Sequence, residues 1–303
     1  LSIQVNHLSK MFGNQLVVDD VSFNVAKGEI LGFLGPNGAG KTTTMRMITG
    51  YLSPDKGDIT VSGLQVLEDN TKSRSGIGYL PENNPLYLDM YVKEYLRYVA
   101  RIYQMPDPWQ RIHEVIGLTG LKSESHKQIK ALSKGYRQRV GLAQAILHDP
   151  EVLILDEATS GLDPNQLIEI RELIKDLGKN KTILLSTHIM QEVQALCDRV
   201  VIIHKGKIVA DGNIKMLSQG LSQSYKVEVT FSRPVVDNTF TEISGYLSHE
   251  KSGTNKYIIA GNDHALNEAI FDFAVSKNLK ILEMSTQQES VENIFQQLTA
   301  QAS

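Results

Sequence analysis

The chain has 303 residues, enough for one large domain or a large and a small one, and its 41% hydrophobic content is ordinary for a globular protein. With 31 basic against 34 acidic residues there is no excess to drive counterion release from a nucleic acid, which disfavours broad DNA or RNA binding. A single cysteine, Cys197, excludes an internal disulfide, and no apolar run approaches the roughly 18 to 20 residues a membrane span needs. Together with the lack of a secretory n-region and h-region, this fits the reducing cytoplasm, with Cys197 as core packing and any membrane role exercised through a partner.

Residues 1 to about 30 alternate apolar and polar positions between turn signals such as Phe12-Gly13-Asn14 and Lys27-Gly28, which predicts an antiparallel β-subdomain. Apolar strands then alternate with helical patterns at Leu31 to Leu34, Ile77 to Leu80, Val152 to Leu155, Thr182 to Leu185 and Val200 to Ile203. That order predicts an α/β fold with a mostly parallel sheet covered by helices. Between about 83 and 131 helical spacing takes over, with Val92, Leu96, Val99 and Tyr103 on one stripe, predicting a helical insertion. Tyr87, Tyr91 and Tyr98 fall off the stripe and are either exposed to a partner or packed on neighbouring helices.

A Ser- and Gln-rich stretch from Leu217 to Ser224 reads as a linker, giving domains 1–219 and 220–303. The second interleaves strand-like Lys226 to Phe231, Lys256 to Ala260 and Lys280 to Met284 with helix-like Ala265 to Ser276 and Ser290 to Thr299, a small α+β domain. From Gly220 onward there are six basic and ten acidic residues, so the acidic excess lies here. It carries no metal-spaced His/Cys cluster and no nucleotide loop, which points to a structural or regulatory role.

The chemistry begins at Gly35-Pro36-Asn37-Gly38-Ala39-Gly40-Lys41-Thr42, a match to G-x-x-x-x-G-K-[ST] between an apolar strand and a helix starting near Thr43. Glycines let successive N–H groups turn inward, the helix N-terminus adds positive potential, and Lys41 supplies a mobile charge, so the loop suits a nucleoside triphosphate. A second apolar strand delivers Asp156 and Glu157 together. Asp156 is placed to hold Mg²⁺ with the hydroxyl of Thr42, leaving Glu157 to orient the attacking water.

With these motifs the chain resembles the ATP-binding subunit of ABC transporters, from the N-terminus to about Ala210. The resemblance rests on the phosphate loop, Gly78-Tyr79-Leu80-Pro81-Glu82, Leu132-Ser133-Lys134-Gly135-Tyr136-Arg137-Gln138-Arg139, Leu155-Asp156-Glu157-Ala158-Thr159-Ser160-Gly161-Leu162-Asp163-Pro164 and Ser186-Thr187-His188, in that order. It implies a P-loop ATPase whose two subunits sandwich two ATP molecules. The signature, usually Leu-Ser-Gly-Gly-Gln, retains Ser133 and Gly135, which would contact the γ-phosphate bound by the opposite subunit. Lys134 either adds phosphate attraction or is a solvated lysine. Glu82 stands where the family has Gln in a loop that senses the metal and water. His188 would contact the γ-phosphate and order Glu157, and Asp163 would reach across the dimer interface, or simply cap a helix ahead of Pro164. Phe12 matches the aromatic that stacks on adenine, with a core phenylalanine as the rival explanation.

The resemblance further implies ATP and Mg²⁺ as ligands, a second copy as partner, and integral membrane permease subunits on a separate chain, putting the protein on the cytoplasmic face of the inner membrane. The departures at Glu82 and in the signature, with the tail Glu289-Ser290-Val291-Glu292-Asn293-Ile294-Phe295, are similar to ABC-2 type export systems. Within them the chain looks closest to the gliding-motility-associated ATP-binding subunit. Two other classes compete: a soluble ABC ATPase acting on nucleic acid or ribosomes, and a nucleotide-gated module that does not hydrolyse. Against the first stand a single nucleotide module and no basic excess; against the second stand Glu157 and His188.

Overall fold

The computed structural model describes residues 1–67, 71–213 and 225–287. The chain divides into two compact units, Leu1–Asn213 and Ile214–Gln301. The expected linker from Leu217 to Ser224, the boundary at 219/220 and the helix-like stretch from Ser290 to Thr299 lie outside the described residues.

In the first unit β1 (Ile3–Phe12) and β2 (Gln15–Val25) form the antiparallel pair expected of the N-terminus. Two strands the sequence reading missed extend it: β4 (Lys56–Val61) pairs with β1, and β5 (Leu64–Gln65) pairs with β4. The segment Lys56-Gly57-Asp58 begins β4 with residues that strands usually avoid, so its membership is set by pairing with Ser9 and Asn6 rather than by local preference.

The central sheet has six strands in the order β10 (Lys207–Asn213), β9 (Arg199–His204), β3 (Ile30–Leu34), β8 (Thr182–Thr187), β7 (Val152–Asp156) and β6 (Ile77–Leu80). All pairs are parallel except β10 on β9, an antiparallel edge that the sequence reading did not anticipate. Pleating splits the buried residues between two cores. Leu31, Phe33, Ile154, Leu184, Val201 and Ile203 face the β-subdomain and Met45 and Ile48 of α1 (Lys41–Ile48). Leu80, Leu153, Leu155, Ile183 and Leu185 face the helical layer.

After α2 (Thr71–Ser75), the helical layer contains α3 (Val92–Ile102), α4 (Trp109–Leu118), α5 (Lys134–Ile146) and α6 (Pro164–Gly178), with α7 (Met190–Leu196) against β3 and β8. Val92, Leu96 and Val99 are buried as their spacing predicts, whereas Tyr103 is partly exposed and stacks on His148 with ring centroids 3.9 Å apart. Tyr87, Tyr91 and Tyr98 are exposed, and Tyr87 also packs edge-on against Tyr98 at 5.4 Å, so exposure and local packing coexist. Among the described residues no helix is long and apolar enough to cross a membrane.

The second unit is a four-stranded antiparallel sheet, β12 (Tyr246–Lys251), β13 (Lys256–Gly261), β11 (Tyr225–Phe231) and β14 (Ile281–Gln287), with α8 (Leu266–Ser276). Its core joins Val227, Val229, Phe231, Tyr257 and Ile259 of the sheet to Ile270 and Phe273 of the helix, with Phe240 from a short 3-10 turn. β12 was not expected, since Ser-His-Glu-Lys lacks the apolar alternation of its neighbours.

Candidate functional site

The motifs converge because four adjacent parallel strands, β3, β8, β7 and β6, run in one direction, and each motif follows a strand's carboxyl end, where open α/β sheets bind ligands. β3 ends at Leu34 and delivers the phosphate loop; β8 ends at Thr187 and delivers His188; β7 ends at Asp156 and delivers Glu157. Leu80 pairs with Leu155, so Glu82 follows β6 beside the carboxylates that end β7. Glu82 itself is exposed.

Gly35 and Gly40 sit where a side chain could not: a Cβ on Gly40 would approach the Val17 carbonyl to 2.7 Å, and Gly40 adopts a left-handed φ of 104°. Gly38 is likewise left-handed, at φ 79°. No side chain caps α1, whose N-terminal turn therefore keeps its donors for a ligand, the arrangement that suits a phosphate. Thr44 Oγ1 donates to the Gly40 carbonyl at 2.9 Å and ties the loop to the helix. Pro36, Asn37 and Ala39 complete the loop, and Thr42 and Thr43 are half-buried in the first turn of α1.

Lys41 is 6% exposed and reaches back over the loop. Its Nζ donates to the carbonyls of Gly35 at 2.8 Å and Pro36 at 3.2 Å, and lies 3.4 Å from Glu157 Oε1. The other Glu157 oxygen, Oε2, is 2.9 Å from His188 Nδ1. Glu157 is thus held between a lysine and a histidine, with its own backbone left-handed at φ 52°, an unfavourable conformation for a side chain of this size. A strained, 5% exposed carboxylate flanked by two cationic or hydrogen-bonding groups has the setting of a functional base.

Asp156 is fully buried. Its Oδ1 accepts a short hydrogen bond from Ser186 Oγ, while Oδ2 has no partner among the described residues. An orphaned, buried carboxylate oxygen is costly unless something else satisfies it. Oxygen donors from Asp156 and Thr42 suit a hard divalent cation such as Mg²⁺. Ser186 was visible in the sequence only as part of Ser-Thr-His; its bond to Asp156 comes from the register of β7 and β8, which pairs the two residues directly. A further residue was missed. Glu192, fully buried in α7, accepts from Thr187 Oγ1 at 2.6 Å, and the same hydroxyl accepts from Ile189 N at 3.1 Å, fixing the turn that carries His188.

Ser133 caps α5 by accepting from Tyr136 N at 3.3 Å, and Gly135 follows in the first turn. Asp163 caps α6, its Oδ1 accepting from Asn165 N at 3.1 Å and Gln166 N at 3.0 Å, with Pro164 at the first helical position. Neither is among the contacts around Glu157. Phe12 is 49% exposed, which removes the core explanation, and Lys10 Nζ lies 5.9 Å from its ring centroid. Cys197 is a half-buried free thiol whose ionisation is pushed up by burial, in keeping with packing.

The family model for the ABC transporter matches residues 18–160. The chain is 33% identical over 303 residues to an uncharacterized ABC transporter ATP-binding protein, YhcH, of Bacillus subtilis, covering 99% of this chain and 96% of that one. The chain belongs to the ABC transporter ATP-binding proteins. It binds ATP and is an ATPase of this family. The bacitracin transport ATP-binding protein BcrA of Bacillus licheniformis is 36% identical, with 98% of this chain and 96% of that one covered. The linearmycin resistance ATP-binding protein LnrL of Bacillus subtilis is 30% identical, covering 98% of each. Among solved structures, the ATP-binding subunit of an ABC transporter superposes with a TM-score of 0.67 at 31% identity, covering 73% of this chain and 94% of that one.

Proposed function

We propose that this ABC ATPase works as a homodimer that energises an ABC-2 type exporter whose permease is a separate chain, from the cytoplasmic face of the inner membrane, in a system linked to gliding motility. The observation that carries the hydrolytic part is the Lys41–Glu157–His188 arrangement at the mouth of the phosphate loop. Glu157 accepts a proton from the attacking water, His188 holds Glu157 Oε2 and contacts the γ-phosphate, and Lys41 neutralises the transferring phosphoryl group. Asp156 and Thr42, with Glu82 beside them, would hold Mg²⁺, which when bound supplies charge for the β- and γ-phosphates. Residues 35 to 43 cradle the phosphates and Phe12 stacks on the adenine.

Ser133, Gly135 and Asp163 act across the dimer, on ATP held by the second copy. The exposure of Ser133 and Asp163, and their lack of any described contact with this chain's own Asp156 and Glu157, support that reading, as does the fold shared with a dimeric ABC transporter cassette. Coupling to the permease is read at a cavity of about 360 Å³ between the core and the helical insertion, lined by Tyr51, Tyr79, Asn84, Tyr103 and Gln144 and continuing from the Glu82 loop. The names of relatives involved in bacitracin transport and Nod factor export support an export role. The departures at Glu82 and in the signature and the tail sequence from Glu289 to Phe295 support the ABC-2 type reading, and the link to gliding motility rests on the resemblance within that branch, outside the catalytic motifs.

Replacing Glu157 with Gln is the deciding experiment. The variant should form an ATP-stabilised dimer by light scattering and turn over little; undiminished turnover would remove Glu157 as the base. A permease co-purifying with the full chain supports the transport reading. Gliding that survives replacement of the chromosomal copy by the Glu157→Gln variant would remove the motility link.

A further inference from the structure

Three contacts outside the carboxylate site join the first turns of α5 to the segment that follows Glu157. The ammonium and stem of Lys134 lie over Gly161, a left-handed residue at φ 72°, where any side chain would collide with them. The amide of Gln166 fills the space where Gly135 would carry a Cβ. Arg139, 7% exposed, makes a short ion pair with Glu169 and donates from Nη1 to the Thr119 carbonyl at 3.1 Å.

The spacing makes these contacts one interlock. Gln166 and Glu169 are three residues apart and share a face of α6; Gly135 and Arg139 are four apart and share a face of α5. The C-terminal part of α5 is held separately, by Tyr95 bonding to Gln144 and by Arg111 Nη2 donating to the Ile146 carbonyl at 2.8 Å. Arg137 also ties this helix's first turn to the carbonyls of Ile129 at 3.2 Å and Lys130 at 2.7 Å, so the direction of the exposed first turn, with Ser133 and Lys134, is set jointly by side chains of α6 and by the segment ahead of α5. A guanidinium as buried as Arg139 needs its carboxylate, so Glu169 is not exchangeable for a neutral packing residue without cost.

We propose that Gln166 and Glu169 are positioning residues for the signature turn: they fix how α5 presents Ser133 and Gly135, and their loss is felt at the nucleotide of the opposite copy. This rests on the composite-site reading above. Neither residue touches the chain's own phosphate loop or carboxylates in any described contact, so their effect on hydrolysis has to pass through α5.

Mixed dimers of two differently tagged full-length chains test this. One copy carries Glu157→Gln, so the only competent site combines the other copy's phosphate loop with this copy's signature. Gln166→Ala and Glu169→Ala placed in the Glu157→Gln copy should lower kcat about tenfold or more with KM for ATP little changed, the scale of a small misplacement of a reacting group. The same pair placed in the other copy should leave turnover near that of the unaltered mixed dimer. Glu169→Gln, which keeps an acceptor for Arg139, should restore part of the lost rate. An equal fall in both arrangements, or no fall in either, overturns the proposal. ATP-driven dimerisation of the Glu157→Gln chain alone reports on the composite site; if it does not occur, that reading fails and this one with it.

Discussion

The two units solve the problem of burial in opposite ways. In the second, the described core is wholly apolar or aromatic, from Val227, Val229 and Phe231 to Phe240, Tyr257 and Phe273. In the first, every buried polar or charged residue among the described residues is found, including Lys41, Arg139, Asp156, Glu157, Ser186, Thr187 and Glu192. Burying such groups costs free energy unless each is bonded, and the first unit leaves Asp156 Oδ2 and Glu192 Oε1 without partners. A fold that needed only stability would not keep them. Lys41, Asp156, Glu157, Ser186 and Thr187 gather at the carboxyl ends of β3, β8 and β7, whereas in the second unit the described residues offer only the orphaned Asn255 Oδ1 and no buried carboxylate or lysine.

The comparison breaks most sharply at Glu157. Replacing it with Gln should lower ATP turnover at least about 100-fold, the loss expected for a general base. The fold should survive, because the substitution keeps the side chain's size and removes a buried charge. Steady-state turnover with thermal unfolding measures both. A large loss of stability with little loss of rate would make Glu157 a structural anion for Lys41 instead.

The next effect is placed in the second unit. Phe240 is fully buried against Phe231, Tyr257 and Phe273, so Phe240→Ala should destabilise that unit by about 3 kcal/mol. Turnover at saturating ATP should persist if the chemistry belongs to the first unit alone. A turnover that falls in step with the unfolding of the second unit would show that the accessory unit supports catalysis.

Much of this division was legible in the sequence, for identifiable reasons. Glycines at 35, 38 and 40 and the apolar run ending in Asp156-Glu157 are local patterns, and each dictates its own backbone or burial. What stayed hidden depends on partners far apart in the chain. β4 is a strand because β1 is beside it; Ser186 binds Asp156 because β7 and β8 share a register; Glu169 pairs with Arg139 from a different helix, far away in the chain. The left-handed backbone of Glu157 has no signature in residue type at all, since glycine and asparagine are the usual occupants of that region.

A smaller effect separates the units by pH. His148 is pushed down to about 4, chiefly by burial, with Lys181 and Arg111 adding to the shift and the Ile77 carbonyl opposing it. Folded His148 is therefore neutral where the unfolded chain, near 6.5, begins to take up a proton. Stability is full above about 6.5 and is lost as pH falls toward about 4. Between pH 7 and 5 the loss should be on the order of 1 kcal/mol after allowance for partial exposure. His148→Phe, which keeps the stack on Tyr103, should flatten the dependence of the urea midpoint over this window. Asp149, whose carboxyl is lowered by its Lys181 hydrogen bond, titrates below the window and leaves the test clean.

The smallest effect expected is at Phe12, and it tests whether the first unit's exposed edge belongs to its site. An exposed ring at the end of β1, with Lys10 5.9 Å from its centroid, offers one face to a base. Stacking of a base on an aromatic is worth about 1 to 3 kcal/mol, and a half-exposed ring belongs at the lower end. Phe12→Ala should then raise KM for ATP about fivefold and leave kcat unchanged, because the contact is equal in ground and transition states. Phe12→Trp should restore the affinity, and GTP should respond as ATP does, since a π-face does not distinguish purines. An unchanged KM in Phe12→Ala would return this residue to the ordinary surface and confine the nucleotide site to the buried polar groups around Lys41.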